Sequence, residues 1–258
     1  ILGLYLSFCE FRTVSDASFV GFQNYVRAFG ENTDFLNALV FTVKFAFASV
    51  IVINVVAFLL ALMLTRGIKG TDLFRTVFFM PNLIGGIVLG YIWNLLINGV
   101  LSYFGVDITF KAQYGFWGLV VLTNWQLIGY MMVIYVAGLQ NIPDDLLEAA
   151  QIDGATRWQR MWKIDIPSIM PTIAILLIMR CGSLVSVGFE KVFLMQTTLN
   201  TSVSEVLSTY VYKTGFASFK NFSYASAVGL WNTAINLTLL LIVNAITKKM
   251  TEGDVSLF

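Results

Sequence analysis

Histidine is absent from the 258 residues, and only two cysteines occur, Cys9 and Cys181. Zinc, haem and iron–sulfur sites draw on clustered histidine and cysteine, and nucleophilic triads draw on histidine, so most of that chemistry is excluded. Each cysteine lies in or beside an apolar run and reads as a small packing residue. Charge is scarce as well. Charged residues make up 12% of the chain, where a soluble domain carries roughly a quarter. The balance leaves +1, which gives no argument for nucleic acid or for acidic partners. No Gly-x-x-x-x-Gly-Lys-Ser/Thr sequence occurs, so the chain has no P-loop of its own. No internal repeat, low-complexity segment or interdomain linker is visible.

What is present is apolar. Hydrophobic residues make up 57% of the chain, and they fall in blocks of about twenty, the length a helix needs to cross the hydrocarbon core. The expected fold is all-α and polytopic, one transmembrane domain over residues 1–258. The opening Ile1–Phe8 is too short to span and reads as the end of a first membrane helix whose beginning is missing; a cleaved signal peptide fits less well, because no small-residue cleavage site follows. Further spans are expected over about 35–64, 76–98, 115–139, 168–189 and 224–247. Pro81 should kink or delay the second of these, and Pro171 sits in the first turn of the fourth. The intervening 99–114 reads as a loop, and a long loop precedes the last span.

Lysine and arginine in the short loops set the orientation. Arg66, Lys69, Arg75, Arg157, Arg160, Lys163, Lys248 and Lys249 lie on one side, eight charges in about 51 residues; Arg12, Arg27, Lys111, Lys191, Lys213 and Lys220 lie on the other, six in about 74. The first side is therefore expected to be cytoplasmic. Lys44, in the outer part of its span, should snorkel to the interface.

One polar stretch, Pro143 to Pro167, lies between two apolar spans. Pro143 sits where a helix can start. Asp144, Asp145 and Glu148 place negative charge in the first turns, which the helix dipole favours. Gly154 follows the helix formers as a residue able to turn left-handed and end the helix. Arg157, Arg160 and Lys163 follow at three-residue spacing with Trp158, Met161 and Trp162 between them. The pattern predicts two short amphipathic helices meeting at a sharp corner.

Glu148-Ala149-Ala150, Asp153-Gly154-Ala155, Ile164 and Pro167 resemble the EAA loop of membrane subunits of binding-protein-dependent ABC importers, in the carbohydrate branch. Ile166 departs mildly from that branch, where leucine is commoner before the proline. Phe19 to Tyr25 resembles the first external loop of sugar permeases. Val187 to Met195, Val206 to Tyr212 and Phe222 to Leu230 resemble permeases of the maltose and aldouronate/alginate type, which carry larger oligosaccharides, uronate-containing ones included.

The resemblance implies a type I importer transmembrane domain of about six helices in the cell membrane, with the EAA loop (140–168) and the C-terminus cytoplasmic. It implies a second homologous permease, usually a different chain, two ATP-binding subunits and an extracytoplasmic solute-binding protein. ATP and magnesium would bind the ATPase subunits, leaving this chain without cofactor or catalytic residue. Glu148, Ala149, Ala150, Asp153, Gly154 and Pro167 would form the ATPase contact. At Gly154 a Cβ would be expected to obstruct both the corner and close docking.

In maltose-type permeases the spans flanking this loop line a central cavity. Ungapped counting from Glu148 puts Gln126 and Tyr130 on the matching face of one span and Arg180, Ser183 and Leu184 on the other. Arg180, Ser183, Val187 and Glu190 also form a stripe at helical spacing. Leu184 and Val187 are apolar where maltose permeases offer amides, so contacts must differ in detail. Arg180 admits two readings: a bidentate clamp for an acidic sugar, or an arginine structurally paired with a carboxylate. Asn232 and Asn236, four apart in the last span, and Tyr91, Asn94 and Asn98 either contribute to the path or join helices.

Other classes fit less well. An intramembrane enzyme lacking histidine would need an Asp pair or a Ser–Lys pair, and no apolar span holds two carboxylates. A secondary transporter or channel would show repeats or broken helices. An ABC permease for a non-carbohydrate solute is the nearest alternative.

Overall fold

The computed structural model describes residues 2–31, 33–67, 69–105, 112–181, 189–196, 201–217 and 221–251. Helix α1 (Leu2–Ser7) leads into a two-stranded antiparallel hairpin, β1 (Cys9–Glu10) and β2 (Ser18–Phe19), with Cys9 opposite Phe19 and Glu10 opposite Ser18. A short α2 (Gln23–Val26) follows. The remaining helices are α3 (Thr33–Leu64), α4 (Thr71–Phe79), α5 (Gly86–Tyr103), α6 (Ala112–Gln140), α7 (Asp144–Ile152), α8 (Arg157–Arg160), α9 (Ile166–Ser168), α10 (Met170–Cys181), α11 (Phe189–Met195), α12 (Thr201–Ser204), α13 (Leu207–Tyr212) and α14 (Phe222–Met250).

Among the described residues α3, α14 and residues 116–140 of α6 are long and apolar enough to cross a membrane, and counting each of two bent helix pairs as one span gives up to five; these breaks, of 103° and 64°, correct the expectation of unbroken spans. Along α3 the exposed apolar residues Val40, Val43, Phe47, Ile51, Val55, Leu59 and Met63 recur every three or four positions. Such a stripe on one face of a spanning helix suits hydrocarbon.

One expected span and one expected loop need correction. The helix expected over 76–98 is interrupted: α4 passes into a 3-10 turn at Met80–Leu83 that contains Pro81, and α5 starts afresh at Gly86. Ile84 and Gly85 between them are extended, with ψ of 126° and 144°. Proline cannot donate to the preceding turn, and the glycine pair that follows favours helix poorly. The expected loop at 99–114 is also shorter, because α5 runs on to Tyr103 and α6 already begins at Ala112. Past Pro167, the chain bends by 64° where Arg157–Ser168 meets Met170–Arg180.

The contacts group into two compact units, one of Ile1–Ala48, Gly85–Leu122 and Gly182–Leu239, the other of Ser49–Ile84, Thr123–Cys181 and Leu240–Phe258. In the first, α11 packs along α5, where Gly90 leaves room for Leu194, whose Cδ1 lies 3.4 Å from where a Cβ would stand. Phe45, Leu119, Val120, Val192 and Val206 form its buried core. The Phe29 ring meets Phe35 and Trp231 edge to face, at 5.2 and 5.1 Å between centroids. The backbone N–H of Phe11 donates to Ser223 Oγ at 2.7 Å, and that hydroxyl donates back to the Phe11 carbonyl at 3.0 Å. Burial pushes the Glu205 carboxyl above its ordinary range, partly offset by Lys213 at 2.9 Å.

The second unit is built on α3, α6 and α10. Ile53, Ala57, Ala61, Met131, Tyr135, Leu139, Ile169 and Leu176 are sealed together, and Tyr135 donates its hydroxyl proton to Asn54 Oδ1. Small residues permit the close approaches, as membrane helices require. Gly129 lies against the Phe78 carbonyl, where a Cβ would overlap backbone, and Gly138 faces Ile169 and Thr172.

Candidate functional site

The corner of the polar loop is set by its own hydrogen bonds. Pro143 is the N-cap of α7, and Asp144 and Asp145 occupy the first turn. At the far end Gly154 has φ +71°. Its N–H donates to the Gln151 carbonyl at 3.1 Å, and the Ala155 N–H to the Ala150 carbonyl at 3.0 Å. These two bonds around a left-handed residue are a Schellman cap. Thr156 then opens α8 with a capping box: Gln159 N–H donates to Thr156 Oγ1 at 3.3 Å, while Thr156 N–H donates to Gln159 Oε1 at 2.8 Å. No residues separate cap from cap, so two short helices meet at a fixed angle.

Within the corner itself, space at Gly154 is not the constraint expected from the sequence. A Cβ there would meet nothing in this chain within 4 Å; the left-handed backbone is what favours glycine.

After α8 the chain takes a π turn, Met161–Asp165. It brings Asp165 under Arg160, whose Nε donates to Asp165 Oδ1 at 3.2 Å, while the Asp165 side chain is only 1% exposed. Neither residue of this pair is suggested by helical periodicity, since the partners are five apart; a π turn is what aligns such a spacing.

Ala149, Ala150, Asp153 and Gly154 line one cleft of about 470 Å³ with Leu146 and Lys163. Glu148 and Pro167 are exposed nearby and do not line it. Ile152 is 87% exposed, an apolar side chain on a surface otherwise rich in charge. Among the described residues neither Glu148 nor Asp153 forms an ion pair.

The polar path residues divide between the units. Gln126, Tyr130 and Arg180 belong to the second. Gln126 is buried, and its Nε2 donates to the Ile84 carbonyl at 3.1 Å, one of the extended residues beyond Pro81. The Arg180 guanidinium carbon lies 6.0 Å from the centre of the Tyr130 ring. Glu190, Asn232 and Asn236 belong to the first unit. Glu190 sits beside Gly86, where a Cβ would run into its carboxylate. Asn232 and Asn236 bury their Oδ1 atoms without a hydrogen-bond partner among the described residues. Ser183, Leu184 and Val187 lie outside the described residues, as do the side chains of Asn94 and Asn98, while Tyr91 is exposed.

Sequence reasoning passed over Thr156 and Gln159, although a threonine followed three positions later by glutamine is the capping-box signature. It also passed over Gly129, which carries no signal until its partner helix is known.

Residues 53–252, which include the whole polar loop, match the family model described as the binding-protein-dependent transport system inner membrane component. The chain belongs to that family. The permease is 33% identical over 261 residues to the probable starch degradation products transport system permease protein AmyD of Thermoanaerobacterium thermosulfurigenes, covering 98% of this chain and 87% of that one. It is 30% identical to the polygalacturonan/rhamnogalacturonan transport system permease protein YteP of Bacillus subtilis, covering 98% of this chain and 83% of the relative. Among solved structures, it is similar to a chain of a bacterial ABC transporter involved in the import of the acidic polysaccharide alginate. That match has a TM-score of 0.86 and 27% identity, over 97% of this chain and 88% of the other.

Proposed function

We propose that this permease moves oligosaccharides, uronate-containing ones included, across the membrane as part of an ATP-driven importer. Its relatives' carbohydrate names and the likeness to an importer of an acidic polysaccharide support that substrate class. The permease forms the path with a second homologous permease, takes sugar from an extracytoplasmic binding protein and rests on two ATP-binding subunits. ATP and magnesium bind those subunits; this chain breaks no bonds and takes no cofactor. The loop and the C-terminus face the cytoplasm, in keeping with the eight basic residues on that side against six on the other.

The Schellman-capped corner is the observation that carries coupling. A helix whose end is pinned to the next helix by two backbone bonds transmits a rigid-body displacement that a flexible loop would absorb. Glu148, Ala149, Ala150, Asp153 and Gly154 form the contact, with exposed carboxylates on offer to basic partners and Ile152 to an apolar cleft; Pro167 fixes where the loop rejoins the membrane helix. ATP biases the complex between states only so far as those states differ in affinity for ligands, so path contacts to sugar must weaken in the inward-facing state. Gln126, Tyr130 and Arg180 supply an amide, an aromatic face and a guanidinium for the path, and Ser183, Leu184, Val187, Glu190, Asn232 and Asn236 complete it.

The test is ATP hydrolysis by the reconstituted complex, with its binding protein, across neutral and uronic oligosaccharides. Stimulation by one class is expected and names the substrate. Hydrolysis that no sugar stimulates would remove the carbohydrate assignment while leaving the importer.

A further inference from the structure

Where α3 leaves its apolar run, Met63, Arg66, Arg157 and Arg160 enclose a cleft of about 510 Å³. Arg160 is occupied by Asp165 at 3.2 Å. Arg66 and Arg157 are exposed, and among the described residues neither has an ion pair or a side-chain hydrogen bond. Arg66 and Arg157 therefore share this cleft as cations without an ion pair among the described residues, while Asp165 is engaged by Arg160. Two cations in one cleft favour an anion from outside the chain, and arginine matches phosphate with paired N–H donors.

The frame is rigid. The Thr65 hydroxyl donates to the carbonyls of Ala61 and Leu62, at 3.0 and 3.2 Å, tying down the end of α3 just before Arg66. Arg157 is the first residue of the capped α8.

Two further features say what carries the phosphate. The exposed stripe of α3 reaches the cleft through Val55, Leu59 and Met63, 51%, 47% and 55% exposed, so an apolar track leads from the cleft into the membrane. Beside Arg157, Trp158 and Trp162 are exposed and meet edge to face at 6.0 Å; tryptophan favours the headgroup level of a bilayer. A soluble anion would use the arginines alone, and so would a partner's carboxylate. We propose that this cleft holds the phosphate of an anionic phospholipid, with an acyl chain along Val55, Leu59 and Met63. The proposal needs only that α3 spans the membrane, and does not depend on which sugar the permease carries.

The complete transporter, purified in detergent, would be offered equal amounts of phosphatidylglycerol and phosphatidylcholine, and bound lipid read by native mass spectrometry. Phosphatidylglycerol should be retained in preference. Each guanidinium near a bilayer surface is worth a factor of about five, so the variant carrying both Arg66→Gln and Arg157→Gln should lose roughly 25-fold of that preference. The matching pair of arginine-to-lysine changes should keep an intermediate share, since charge remains without the paired donors. Glycerol phosphate in the buffer should displace nothing; displacement would make this a soluble-anion site and overturn the proposal. Equal retention of the two lipids would overturn it, and so would unchanged preference in the glutamine variant. If that variant loses its ATPase subunits with lipid preference intact, the arginines face protein and the proposal fails. Should it fail to assemble, the natural protein still decides. Its preference must weaken between about 0.05 and 0.5 M salt as screening grows, and a salt-independent preference would reject a charged headgroup site.

Discussion

The N–H of Ala155 reaches back across Gly154 to the carbonyl of Ala150 at 3.0 Å, closing the end of α7 at the point where the next helix starts. With φ +71° at Gly154 and no neighbour within 4 Å of a Cβ there, the backbone and the partner's surface make separate demands on that position. Asparagine and aspartate both tolerate a left-handed backbone better than other side-chain-bearing residues. Gly154→Asn should therefore preserve the corner, and Gly154→Ala should strain it by about 1–2 kcal/mol. Gly154→Asp should abolish sugar-stimulated ATP hydrolysis and transport while the chain remains at normal level in the membrane. Normal transport by the aspartate variant would sink the coupling assignment.

The Arg160–Asp165 pair gives an asymmetric prediction. Asp165 is sealed, with its Oδ2 unpartnered among the described residues, whereas the Arg160 side chain retains 29% exposure. Removing the cation strands a buried carboxylate, a situation that costs about 3–5 kcal/mol. Arg160→Met should thus destabilise by about 3 kcal/mol, well beyond Asp165→Asn. Adding Asp165→Leu to Arg160→Met should recover most of the loss. Thermal unfolding of the purified permease reads all three, and equal losses for the two single changes would show that the carboxylate is not dependent on Arg160.

How far the sequence reached can be judged residue by residue. The turn at Gly154 was legible because glycine after a run of helix formers is a local signal, and so was the start at Pro143. The Arg160–Asp165 pair was not, because it depends on a π turn that local propensity does not announce. Pro81 marked the interruption of its span but not its extent, since the helix also needed Gly85 and Gly86 to restart. The path residues were reached only through resemblance. Burial of the Asn232 and Asn236 oxygens depends on neighbours that no local pattern names.

Two glycines separate a backbone clash from a side-chain one. A Cβ at position 129 would overlap the Phe78 carbonyl, which belongs to a helix backbone; at position 86 it would meet the end of the Glu190 side chain, which can rotate away. Gly129→Ala should cost about 1–3 kcal/mol or more and lower the amount of folded permease. Gly86→Ala should leave stability within about 0.5 kcal/mol, as for changes that strain nothing rigid. Comparable melting temperatures for the two variants would contradict the close packing of α6 on α4.

Arg180 supplies the sharpest test of the substrate class. Its guanidinium lies over Tyr130 at 6.0 Å, an arrangement worth about 0.5–2 kcal/mol that positions a cation without neutralising it. A hydrogen bond from a guanidinium to a substrate carboxylate contributes roughly 1.5–3 kcal/mol, a factor of about 10 to 150. Arg180→Gln should therefore reduce uptake of uronate oligosaccharides at least about tenfold while neutral ones lose little. Tyr130→Phe keeps the ring beneath the cation and should be mild for both classes. Tyr130→Leu removes it and should fall between, with the larger loss again on the acidic substrates. Equal losses of acidic and neutral sugars in Arg180→Gln would assign this arginine to holding helices together, because a structural pair has no means of telling one glycan from another.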